Sequence, residues 1–428
     1  MKPRLSRPTA SRPNLIASSV LTLAALTTVP GALATSSPAS SSPPEPVLVG
    51  RAVLPANANA GPPVSGQFLD PPPGTTNGIT FPLPGQPIAG FSAIVQGSRP
   101  GSYLAMPDNG FGNKMNSRDF LIRAYHIRPS FKTADGGSGT VSVGDFVSFR
   151  DPDHRIGFPI VNEGTTDRLL TGGDIDPESL QRGRQHDLWM GDEFGPWILH
   201  FDAQGRLLDA PFAMPGGIVS PSNPLLIGLP THPNSRGLEA MAITPDRKYL
   251  YAALEGATVA DADRSRRYIF EFSTERREFT GLTFQYRTED PGYLLADMWA
   301  LDRHRFMVIE RDAGRGLAAL FRRIYLIDLR DTGPSGFLEK TELVDLASIR
   351  DPDLISLPPL REGDVGLGDP FRVTCESVEA VHLVRGNQVL VGCDNNLPNT
   401  GRNPGFADDS EFILIDVPAL RGHGANHH

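Results

Sequence analysis

The chain has 428 residues, 39% hydrophobic and 21% charged, with a formal net charge of −9. That length holds one large all-β domain or two ordinary ones. An acidic surface argues against a nucleic-acid or anionic-membrane partner, and two cysteines allow at most one disulfide.

The first residues read as a targeting segment. Lys2, Arg4, Arg7 and Arg12 form a basic start without an acid, and LIASSVLTLAALTTV (15–29) is an apolar run too short to span a bilayer as a mature helix. Ala32-Leu33-Ala34 follows as a small-x-small cleavage site. Residues 1–34 are therefore expected to be a signal peptide, with an uncleaved anchor as the alternative. No cysteine follows the apolar run as in a lipoprotein, and no twin arginine precedes it. Cleavage would remove four of the 40 basic residues, leaving 36 against 49 acids, a formal charge of −13. The product is expected outside the cell or in the periplasm, without a membrane or nucleic-acid partner, and as a monomer.

Residues 35–63 are rich in Ser, Pro and Ala and read as a linker, within which VLVGRAVL (47–54) is a candidate strand. No other long linker appears, so residues 64–420 are expected to form one domain and 421–428 a flexible tail.

Across that domain helical periodicity is scarce, and short β-rich runs alternate with Gly, Pro and Asp turns. One pattern recurs five times: a short strand carrying an acid or small polar residue, a second strand ending in an acidic turn, and a third of alternating apolar residues. The copies start at GFSAIVQ (90–96), DIDPESLQ (174–181), RGLEAMAIT (236–244), LLADMWALD (294–302) and CESVEAVHL (375–383). Such a repeat predicts an all-β fold, a single β-propeller. Six blades are favoured, within a range of five to seven, with the sixth drawn from 47–54, 79–83 or 139–149.

In an antiparallel hairpin the start of the first strand and the end of the second share one edge. That places Glu178 beside Asp192 and Glu193, Glu239 beside Glu255, Asp297 towards Glu310 and Asp312, and Glu379 near Asp394. Acids from five blades should then converge on one mouth of the central channel. Convergent carboxylates need a cation or shared protons. Oxygen-only donors suit Ca²⁺, with Mg²⁺ or Mn²⁺ behind it. The alternative is that each acid caps a turn or pairs with an arginine. Cations accompany the acids: Arg236 before Glu239, Arg311 between Glu310 and Asp312, and Lys114 and Arg118 after Asp108. They could hold an anionic group or simply balance the acids.

Cys375 and Cys393 are expected to pair, although strand pairing sets Cys393 opposite about Glu379, so the loop leading in must fold back over the hairpin. G-x-S-x-G, H-E-x-x-H and P-loop motifs are missing, and Ser179 and Ser377, each after a glutamate, have no histidine at a fixed spacing.

GFSAI with MPDNGFGNK, GGDIDPES with DLWMGDEFGPWILHFD, NSRGLEAMAITPD with ALEG, ERDAG, and CESVEA with GCDNNLPNTGR, taken in order from about 88 to 418, resemble the phytase-like family described as having esterase-like activity. The resemblance implies a secreted, calcium-associated propeller that hydrolyses phosphomonoesters or other esters. On that basis the expected metal ligands are Glu178, Asp192, Glu193, Glu239, Glu255, Glu310, Asp312, Glu379 and Asp394. Glu239, Arg236 and Arg311 are the expected catalytic residues, with Lys114, Arg118 and Asn395 meeting the small-molecule substrate. Two rival functions stay open: a non-catalytic, calcium-stabilised propeller that binds a ligand or protein, and a propeller lactonase.

Overall fold

The structure, a computed structural model, describes residues 44–72, 74–88 and 90–421. The expected signal peptide, the linker up to residue 43 and the tail from residue 422 lie outside the described residues. Strand β1 is Val47–Leu54, and β2 (Thr75–Thr76) and β3 (Ile79–Thr80) form a small hairpin. Four strands then make the first blade: β4 (Ala93–Gln96), β5 (Tyr103–Met106), β6 (Arg123–Ser130) and β7 (Thr140–Ser148). The second holds β8 (Pro177–Arg182), β9 (Leu188–Asp192), β10 (Trp197–Phe201) and β11 (Phe212–Ala213). The third holds β12 (Leu238–Ile243), β13 (Tyr249–Leu254), β14 (Arg266–Ser273) and β15 (Glu278–Arg287). The fourth holds β16 (Leu294–Ala300), β17 (Arg305–Arg311), β18 (Arg322–Thr332) and β19 (Leu338–Asp345). The fifth is β20 (Ser377–Arg385), β21 (Gln388–Asp394) and β22 (Ser410–Asp416), completed by β1.

The described residues thus form five blades, not the favoured six. Each segment considered for a sixth has another place. Val47–Leu54 pairs antiparallel with β22 as the outer strand of the fifth blade, Thr140–Ser148 is the outer strand of the first, and Ile79–Thr80 belongs to the small hairpin. Within the expected 35–63 linker, the candidate strand joins the domain. The segment's composition is that of a linker, but VLVGRAVL supplies the apolar alternation that the open edge of β22 needs, and Ala60 donates its N–H to Gln86.

The innermost strands pack in a ring, β4 on β8, β12, β16, β20 and back to β4. Five apolar clusters fill the five gaps between blades. Trp189 and Ile198 of the second blade, for instance, meet Leu238, Met241 and Phe270 of the third. An inner strand is therefore covered on both faces, and β12 reads LEAMAI with every residue but the last buried. Outer strands are covered less, and most of β7 is exposed or half-buried.

A buried ion cluster ties the closing strand. Arg51 of β1 donates to Glu411 of β22 at 2.5 Å, and Arg402 reaches the same carboxylate at 2.6 Å. Burial would push the Glu411 carboxyl up, but Arg402 and Arg51 outweigh it and hold its pKa at about 2. Cys375 and Cys393 are bridged, with Cα atoms 6.1 Å apart. Cys393 pairs with Val378 rather than Glu379, and the loop before β20 brings Cys375 back over the hairpin end.

Replacing Glu411 by Gln strands two buried guanidiniums. It is expected to cost about 3–5 kcal/mol, read as a lower urea midpoint with an unchanged m-value.

Candidate metal centre

One residue position recurs at the mouth of the ring. Each of β8, β12, β16 and β20 carries a bulge after its first residues, and the extra residue is Glu178, Glu239, Ala296 and Glu379 respectively. A bulge turns one side chain out of the pleat. In three blades that side chain is a glutamate, and single carboxylate oxygens of Glu178, Glu239 and Glu379 lie within 4.8 Å of one another.

The second strand of each hairpin adds the next layer. The residues opposite the bulges are Asp192, Leu254, Glu310 and Cys393. The residues one step further, Glu193, Glu255, Arg311 and Asp394, line the mouth cavity. Successive side chains point to opposite faces, so one step decides which acid enters. Glu193 and Glu255 join Glu239 in a second oxygen group, and Asp108, Asp176 and Glu178 form a third. The cavity these residues line has a volume of about 240 Å³.

Three expected ligands lie outside it. The Asp192 carboxylate accepts N–H groups of Asp176 (2.8 Å) and Gly195 (2.7 Å), shaping the turn behind the cavity. Glu310 accepts from Tyr286 (2.6 Å) and Lys340 (2.7 Å) between the third and fourth blades. Asp312 takes the N–H groups of Leu320 and Phe321. Each is on the wrong side of the alternation, with its oxygens already committed. The fourth blade contributes no acid to the cavity. It offers Leu294, Ala313 and the cation Arg311, while Ala296 is buried in an apolar cluster, so four blades supply the acids rather than five.

Two carboxylates of these oxygen groups do not appear among the sequence-based candidates. Asp176 is two residues before Glu178 and so shares its face, a spacing visible in the DIDPES motif. Asp108 ends the first blade's inner hairpin in MPDNG, the counterpart of the acidic turns in the other copies.

The cations divide as well. Arg311 is buried and donates to Glu379 (2.8 Å) and Glu255 (3.4 Å). Burial would lower its pKa, but Glu379, Glu255 and Glu239 prevail and raise it. Arg236 is 40% exposed, reaches Glu255 at 3.0 Å and lines the cavity. Lys114 sits over the Phe194 ring and Arg118 over the Phe68 ring, and neither lines the cavity. Asn395 is buried beside it, in a neighbouring hollow of about 330 Å³ walled by Phe81, Phe111 and Phe120. Its Nδ2 binds the Asp408 carbonyl, and its Oδ1 has no partner. The two spaces share Asp108, Gly112, Asp394 and Asn396.

Asp108, Asp176, Glu178, Glu193, Glu239, Glu255, Glu376, Glu379 and Asp394 face only two guanidiniums in the cavity. Burial pushes Asp108 up to about 6. Burial, with Asp108 and Asp192 beside it, pushes Asp176 to about 8. Burial and neighbouring carboxylates hold Glu178, Glu193, Glu239 and Asp394 well above their usual range. An all-oxygen, net anionic, partly buried donor set fits a hard divalent cation, and its size and adaptability suit Ca²⁺.

The fold and this mouth define a β-propeller with an acidic central funnel. The chain belongs to the phytase-like family, "esterase-like activity of phytase", whose sequence model matches residues 86–397. It is 25% identical over 191 residues to an uncharacterized secreted protein of Arthroderma benhamiae, a match covering 34% of this chain and 36% of that one. The chain thus spans little more than a third of that relative. Among solved structures it is similar to a GH43 β-1,3-galactosidase, with TM-score 0.41, 10% identity, and 77% of this chain and 57% of that one covered. It is also similar to the Dos1 propeller, with TM-score 0.28, 8% identity, and 74% and 65% covered.

Without a cation the raised carboxyls bind more protons folded than unfolded, so stability must fall as pH rises from about 4 towards 8. In chelator the melting temperature is expected to drop between pH 5 and pH 8, and calcium should remove most of the drop. Glu239→Gln should raise the melting temperature in chelator at pH 8 and weaken the calcium response. A melting temperature insensitive to pH in chelator would contradict the carboxylate crowding.

Proposed function

We propose that the protein is a secreted, calcium-dependent ester hydrolase acting on phosphate esters. The observation that carries this reading is the pairing, in one mouth, of a convergent carboxylate set with the half-exposed Arg236. Oxygen ligands alone would suit many cation sites. A guanidinium on the cavity wall adds a fork that matches phosphate oxygens and that a lactone does not need. Membership of an esterase-like family supports the reaction class, and the disulfide and the secreted relative support the location.

Bound among these oxygens, calcium would supply charge neutralisation for the phosphate and acidify a water. The chain's own residues do the rest. Glu178, Glu239, Glu379, Glu193, Glu255, Asp108, Asp176 and Asp394 would hold the cation, and Glu239, common to two of the oxygen groups, takes the proton of the attacking water and passes it to the departing alcohol oxygen. Arg236 orients the substrate oxygens. Arg311 fixes Glu379 and Glu255. The adjoining hollow, with Asn395 in its wall, takes the alcohol portion of the ester. Water adds to phosphorus, the ester P–O bond breaks, and the alcohol and inorganic phosphate leave. Lys114 and Arg118, outside the cavity, have no part in this scheme.

The test is a turnover screen of p-nitrophenyl phosphate, phytate, an acyl ester and a lactone, each with calcium and with chelator. Phosphate-ester turnover should require calcium. Glu239→Gln should lower kcat at least a hundredfold and Asp394→Asn at least tenfold, while Arg236→Gln should act mainly on KM. Calcium-dependent melting without turnover of any substrate would instead establish the non-catalytic binding propeller.

A further inference from the structure

The opposite end of the same channel carries the opposite charge. The last residues of all five inner strands surround a cavity of about 320 Å³ there. Glu178 and Gln181 lie three residues apart on β8, and Glu379 and Leu383 four apart on β20. The two mouths are therefore separated by roughly 10–13 Å of strand. Ile243, Trp299 and Leu383 give this cavity an apolar wall, and Arg182, Arg247 and Arg385 are its charged residues. No carboxylate lines it.

The donors at this mouth are under-used. Arg182 is half-buried, its guanidinium has no partner among the described residues, and its Nε is fully enclosed without one. Burial and the nearby Arg247 lower its pKa, the sign of a cation without a counter-charge. Arg247 is held in place by donating to the carbonyls of Arg182 and Gly183. The Trp299 Nε1 is likewise enclosed without an acceptor, while its ring packs 4.0 Å from His382, edge to face. Buried donors without acceptors are costly and are ordinarily satisfied. Here three kinds of unmet demand coincide: positive charge, N–H donors and apolar surface.

We infer that this basic mouth is a second binding site, for a small organic anion whose oxyanion head meets Arg182, Arg247 and the Trp299 N–H and whose apolar body lies along Ile243 and Leu383. The site is independent of the acidic mouth and of any hydrolysis there. Arg385, exposed at the rim, draws the anion in.

The test uses octanoate as probe, added to the calcium-free protein in chelator and read by calorimetry and by tryptophan fluorescence. Octanoate should bind saturably and change the fluorescence, and Trp299→Phe should abolish that change. Arg182→Gln should weaken binding tenfold or more. Arg385→Gln, at an exposed position where folding is not at risk, should slow association and make it less salt-sensitive. Inorganic phosphate, which lacks the apolar body, and 1-octanol, which lacks the charge, should each bind at least tenfold more weakly than octanoate. Octanoate binding that is not saturable, that survives Arg182→Gln in a folded protein, or that phosphate or octanol matches would overturn the proposal. Because the readout is binding in chelator, it stands or falls separately from the esterase reading.

Discussion

Repulsion between carboxylates is the constraint around which this molecule is arranged. The nine acids that line one small space could relieve their repulsion by turning away, and on flexible loops they would. Here Glu178, Glu239 and Glu379 sit on bulges in strands covered on both faces by neighbouring blades, so their direction is fixed by packing rather than by their own preference. The apolar clusters between blades hold the acids in an unfavourable arrangement, one that a cation could relieve. Strain of this kind is common where binding matters more than stability.

The fold was legible in the sequence because the repeat survives in the inner hairpins. These hairpins need apolar residues on both faces and close on an acidic turn, and the five copies show both. Blade number was less legible because the outer strands are only loosely constrained. β7 and β1 looked like spare elements, since nothing in GTVSVGDFVSF or VLVGRAVL says that each is the fourth strand of a blade begun elsewhere. The closing partner of VLVGRAVL lies at the other end of the chain.

The site was legible to within one residue, and one residue is what matters in a strand. Hairpin geometry placed Asp192 with Glu193, and Glu310 with Asp312 either side of Arg311, at the mouth edge. It could not say which residue of each stretch faces inward, because the bulges shift the phase of alternation and leave no composition signal of their own. In the second blade the inward residue is an acid and in the fourth it is an arginine. That substitution makes the mouth asymmetric: the fourth blade's wall is cationic, and its Arg311 pairs with Glu255 and Glu379 of the neighbouring blades. Asp108 and Asp176 could have been found by the same repeat logic, by aligning the acidic turns and by stepping two residues along β8.

The way the ring is closed has a consequence for how the protein comes into being. Arg51 and Glu411, which join the first and last strands, are 360 residues apart. Four blades are complete in themselves, each built from consecutive strands, and can form as soon as their own segment is available. The fifth waits for both ends of the domain. Until that last segment is available, β1 has its contacts with β7 of the first blade but lacks β22, and the blades form an open arc with two faces uncovered. The circular channel, and with it both of its mouths, comes into existence only when the final strand meets the first.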